Sequence, residues 1–62
     1  MKYYIWKRTT AGNNYYWQGT RWLPDMNAAL VFESIDAAKA AAVPAQQHSI
    51  SKVHISEWKE TK

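Results

Sequence analysis

Two aromatic runs, Tyr3-Tyr4-Ile5-Trp6 and Tyr15-Tyr16-Trp17, flank the segment Thr9-Thr10-Ala11-Gly12-Asn13-Asn14. Aromatic and β-branched residues suit a pleated, half-buried surface, whereas Gly and Asn accept the positive φ that tight loops demand. Residues 2–22 therefore read as an antiparallel hairpin closed by a loop of about five residues. Its second strand runs on through Gln18, Gly19, Thr20 and Arg21 to Trp22, and Pro24 stops it.

A chain of 62 residues supports one hydrophobic core at most, and this one has no cysteine to staple it. A two-domain enzyme is excluded. Four Trp, four Tyr and one Phe oppose disorder, since disordered segments are poor in aromatic residues and cannot bury enough to fold. The formal charge of +3 is mildly basic and lacks the dense Lys/Arg clustering of dedicated nucleic-acid binders. The apolar stretch after Lys2 is too short for a secretory signal, and no run approaches a membrane span, so the expectation is a cytoplasmic protein that does not engage a membrane.

Beyond the hairpin, residues 23–33 read as a connector, a turn at Leu23-Pro24-Asp25-Met26-Asn27 followed by the apolar Ala28 to Phe32, which must lie against the core. Ser34 can cap a helix, and Asp36 places negative charge at the positive end of its dipole. Alanine-rich Ile35 to Val43 has high helix propensity, and Pro44 is read as its end, so the helix is expected over 34–43. Residues 45–49 then form a loop. Residues 50–58 alternate β-branched and polar side chains as a third strand, with 59–62 a frayed, charged tail. The expected fold is a single α+β domain, β-β-α-β, with a three-stranded antiparallel sheet of order 2-1-3 and one helix on one face.

Strand parity assigns the two faces. Val53 and Ile55 straddle His54 and point inward, which matches Ile5 on the first strand and sends Tyr4, Trp6 and Arg8 outward. Tyr15 and Trp17 inward leaves Tyr16, Gln18, Thr20 and Trp22 outward. The helix would lay Ile35, Ala38, Ala41 and Ala42 on Ile5, Trp17, Val53 and Ile55, with Leu30 and Phe32 at one end. The uncovered face would then show Tyr4, Trp6, Tyr16, Trp22 and Trp58 beside Arg8, Lys52 and His54. That is a large apolar patch for a monomer.

Other chemistry finds little footing. His48 and His54 are spaced for neither a helical zinc pair nor a Cys-containing cluster, so neither a metal nor a cofactor is expected. Asp25, Glu33 and Asp36 lie at a turn and around a helix start, and no serine sits in a nucleophile elbow. No enzymatic activity is expected. The aromatic face has three competing explanations: ring pairs that only stabilise the sheet, a protein-binding or self-associating surface, and a platform on which nucleobases stack.

The spacing of Trp22, Asp25, Ala29, Phe32, Ser34, Ala38 and Ala42 resembles that of small phage and prophage accessory proteins of β-β-α-β architecture. The resemblance covers nearly the whole chain, and it implies that Phe32 caps the core and Ala38 packs on the sheet. It also implies a bacteriophage protein that binds and inhibits a host protein in the host cytoplasm. A weaker similarity is to the hybrid-binding domain at the start of some ribonucleases H, which implies nucleic acid as the partner; the Gly-Arg-Lys-Pro-Gly turn of that domain is absent here. The chain is therefore expected to be a binding module that docks its aromatic sheet face, or an edge strand, on a host protein, with nucleic-acid binding or a homodimer through the same face as alternatives.

Overall fold

The computed structural model describes residues 1–59. Strand β1, Lys2–Arg8, forms as the aromatic run suggests, and the Thr9 N–H donates to the Asn13 carbonyl at 2.8 Å to close the loop into β2, Asn14–Trp17. Gly12, at φ 89°, supplies the left-handed residue of that loop. The second strand then stops four residues in. Gln18 donates to the Arg21 carbonyl at 3.0 Å, and Gly19 at φ 122° turns the chain back on itself. Trp22–Leu23 forms a separate strand, β3, antiparallel to β2.

Among the described residues the sheet thus has four strands, in the order β3-β2-β1-β4, rather than the expected three. β4 is Val53–Trp58 and lies antiparallel to β1, so the central place of the first strand is as expected. Along the connector, Asp25 accepts from the Asn27 N–H at 2.9 Å and caps a 3-10 turn at Met26–Ala28. Phe32 then pairs with Tyr3, its N–H donating to the Tyr3 carbonyl at 2.7 Å and its carbonyl accepting the Tyr3 N–H at 2.8 Å. The connector takes the place beside β1 that β2 has vacated.

Helix α1 spans Ile35–Gln47, longer than the expected 34–43. Ser34 caps it, its Oγ accepting from the Ala37 N–H at 3.1 Å, with Asp36 in the first turn. Pro44 lies inside the helix instead of ending it. An interior Pro costs about 3 kcal/mol because it removes one backbone donor and crowds the preceding turn. Here tertiary contacts offset that cost. Ala45 is fully buried, and the Gln46 side-chain amide donates to the Ser49 and Ser51 carbonyls at 3.2 and 3.0 Å while its Oε1 accepts the Val53 N–H at 3.0 Å. The same contacts delay β4, which starts at Val53 and leaves Ile50 wholly exposed in a turn instead of in a strand over 50–58. Of the expected tail over 59–62, residues 60–62 lie outside the described residues.

α1 packs over β1 and β4. The core is Ile5, Trp17 and Ala45 with Ala38 buried beside them, and Trp22, Phe32, Ala41, Ala42, Val53 and Ile55 pack around it. Ile35 and Leu30, expected in the core, are 38% and 43% exposed. The shortest dimension of 16 Å leaves room for one sheet and one helix and no third layer. Among the described residues no helix is long and apolar enough to cross a membrane.

Gln46→Ala should therefore lower unfolding free energy by about 1–2 kcal/mol through three lost hydrogen bonds. Gln47→Ala, on the exposed side of the same turn, should stay within about 0.5 kcal/mol; urea unfolding of the two variants checks the difference.

Candidate functional site

Residues paired across neighbouring strands share a face, so the register assigns the open side of the sheet directly. Trp6 lies opposite Tyr16 on β2 and His54 on β4, Tyr4 opposite Ser56, Lys2 opposite Trp58, and Arg8 opposite Asn14. Tyr16 in turn faces Leu23. None of these side chains lies under α1, and all the rings among them are half-buried by one another, apart from the exposed His54.

The contacts within this face are specific. Trp6 stacks on His54 with ring centroids 4.7 Å apart and tilted 31°, and its Nε1–H donates to Ser56 Oγ at 2.8 Å. Tyr4 meets the Trp58 ring edge to face at 5.6 Å and 85°, and the Tyr16 ring at 6.0 Å. The Arg8 guanidinium sits 5.8 Å from the Trp6 centroid while its Nε donates to Asn14 Oδ1 at 2.9 Å. Every ring is held from at least two directions or by a ring and a strand partner. The result is one continuous ribbon of aromatic surface running obliquely from β2 across β1 to β4.

Six of the eight expected residues, Tyr4, Trp6, Arg8, Tyr16, His54 and Trp58, are brought together here. Trp22 is not among them. It lies opposite Trp17 in the β2–β3 ladder and so on the helix side, its ring 5.1 Å from that of Trp17. In an unbroken strand, positions 17 and 22 differ by an odd number and fall on opposite faces, but the turn over 18–21 brings the chain back and puts them on the same one. Gln18 and Thr20, likewise expected on the open face, are in that turn. Lys52 is exposed just before β4 and is not part of the ladder.

Sequence parity missed the supporting polar groups. Ser56 and Asn14 have no chemical signature of their own; only the register shows that one holds an indole and the other a guanidinium. Charge is also sorted: Lys2 and Arg8 stand on the open face, whereas among the described residues no carboxylate does. Glu57 pairs with Tyr3 on the other side, and Asp25, Glu33 and Asp36 belong to the connector and helix start.

The helix-side face has a second ring cluster. Lys7 Nζ lies 4.8 Å from the Trp22 centroid and 5.8 Å from that of Tyr15, closing the end of the core that α1 does not reach. His48, at the C-terminal end of α1, stacks on Trp17 at 5.8 Å, which puts the two histidines on opposite sides of the sheet. A depression of about 470 Å³ on α1 is lined by Ala42, Val43, Gln46 and Gln47 and holds no titratable group. Comparison with family models, curated proteins and solved structures finds no match for this chain.

The Trp22 indole Nε1 is buried with no hydrogen-bond partner, which costs about 1–3 kcal/mol. Trp22→Phe removes that donor along with some ring area, so thermal and urea unfolding should show a change no larger than about 1 kcal/mol in either direction.

Proposed function

We propose that this chain is a non-enzymatic binding module that holds a protein partner against the open aromatic face of its sheet. The observation that supports it is the contiguous set Tyr4, Trp6, Tyr16, His54 and Trp58 on the one sheet face that no helix covers. Trp, Tyr and Arg are the residues that carry most of the energy at protein interfaces, and the patch sits at the centre of the face with polar groups around it. Fixing the rings beforehand reduces the ordering cost of association, and here Ser56, Asn14 and the neighbouring rings do that. A host-cell protein in the cytoplasm is the partner that a phage-type inhibitor would take.

A second reading, nucleic acid, is favoured by the charge sorting, since among the described residues Lys2 and Arg8 share the face of the rings and no carboxylate does. Against it, the rings turn their faces to one another, Tyr4 and Trp58 nearly at right angles, which leaves less flat surface for stacked bases. Two cations also neutralise few phosphates, so such binding would be weak and lost early with salt.

The double variant Trp6→Ser with Trp58→Ser should weaken partner binding by at least about thirtyfold while circular dichroism remains that of the folded chain. Binding kept at full strength by that variant would sink the proposal. Quenching of Trp fluorescence by a single-stranded oligonucleotide at low salt would move the assignment to nucleic acid.

A further inference from the structure

Backbone direction is fixed at two points along β1. Tyr3 both donates to and accepts from Phe32, and Thr9 just beyond the strand donates to Asn13, so both turn their polar groups towards β2 and the connector. In a pleated strand that direction alternates from residue to residue. Tyr4 and Trp6 therefore face β4, and they form the hydrogen-bonded pairs of that ladder with Ser56 and His54. The intervening residues Val53, Ile55 and Glu57 turn their N–H and C=O groups outward, to the free edge of the sheet. The Val53 N–H confirms the direction, because it is the one that Gln46 Oε1 caps from outside.

Beside the Val53 C=O, what remains among the described residues is a short template of four groups, the N–H and C=O of Ile55 and of Glu57. The strand that carries them has no Pro, one of the means by which an edge is blunted, and Glu57 is its one carboxylate. The opposite edge is two residues long and ends at Pro24.

We propose that β4 pairs antiparallel with β4 of a second copy, about a two-fold axis through Ser56. In this register Ile55 of each copy stands opposite Glu57 of the other as a hydrogen-bonded pair, and all four groups of each copy are satisfied. The neighbouring registers fail on the same observations. Centring on Ile55 sets Glu57 against the Val53 of the second copy, whose N–H is already taken by Gln46. Centring on Glu57 sets two carboxylates directly opposite each other, which is destabilising. The Ser56 register also brings His54 of each copy opposite Trp58 of the other. With the axis perpendicular to the sheet, both open faces lie on the same side and become one surface. The pairing does not depend on what that surface binds.

The test uses the whole chain. Sedimentation velocity should show the mass doubling as concentration rises, and amide exchange at Ile55 and Glu57 should slow by more than about tenfold over the same range, while His54 and Ser56, bonded to β1, do not change. Glu57→Pro removes one outward donor at a position where an edge strand tolerates proline, and it should remain a monomer. Ser56→Cys supplies the single thiol of a chain without cysteine, across a pair whose Cα separation of about 4.5 Å permits a disulfide, and should oxidise to a covalent dimer. A monomer at every concentration overturns the proposal. So does an associated species in which the Ile55 and Glu57 amides exchange as fast as in the monomer, since association would then be through another surface; this readout on the unmodified chain decides even if Glu57→Pro fails to fold.

Discussion

The paired hydrogen bonds between Tyr3 and Phe32, at 2.8 and 2.7 Å, are the constraint on which the rest of the molecule depends. β1 has seven residues, but β2 accompanies it for only four before the Gly19 turn takes the chain away. Without a replacement, the first half of β1 would have β4 as its only neighbour and the sheet would fray where its core begins. Phe32 fills that place, and Leu30, donating to the Trp17 carbonyl at 2.9 Å, ties the connector to the end of β2. The bridge also fixes the pleat. With Tyr3 directed sideways to Phe32, Ile5 is committed to the helix side and Tyr4 and Trp6 to the open side. Because Ser34 caps the helix only two residues after Phe32, α1 starts already anchored to the sheet.

A single alanine-rich helix then covers one side closely and the other not at all. Ala38 and Ala45 are fully buried, so the helix backbone approaches the sheet nearer than larger side chains would permit, and Ile5 and Trp17 fill the space between. Such a core is small. The ring pairs on the open side contribute to the same stability, at about 0.2–1 kcal/mol for each cross-strand contact. The same contacts therefore contribute to both stability and recognition on this surface: the bonds that lock Trp6 to Ser56 and Arg8 to Asn14 support the sheet and also present a fixed set of rings.

How much of this was legible in the sequence follows from where parity is unbroken. In β1 and β4 it is, and Ile5, Val53 and Ile55 correctly divided Tyr4, Trp6, Arg8, His54 and Trp58 from the core. Parity carried through the segment containing Gly19 puts Trp22 on the wrong face, and a glycine inside a strand pattern is a signal for a bend. The helix end departs from expectation for a different reason. Pro44 is a local stop signal, but Ala45 and Gln46 outweigh it through contacts with β1 and with residues 49–53 that no local rule can anticipate. Ile50 shows the converse, a β-branched residue next to a strand that ends fully exposed because Gln46 holds the preceding turn in place.

The two edges of the sheet are unequal, and the difference couples them to the open face. β3 is only two residues long and is followed by Pro24, so β4 is the edge better suited to an added strand. β4 is also the strand that carries His54 and Trp58, the outer end of the aromatic ribbon. A strand added there would lie directly beside those rings and reduce their exposure on one flank while lengthening the ribbon on the other side of the new strand. Gln46 limits how far such a strand can reach, since it occupies the Val53 N–H from the helix end. The residue that keeps α1 running past Pro44 thus also sets how far the open template along β4 extends.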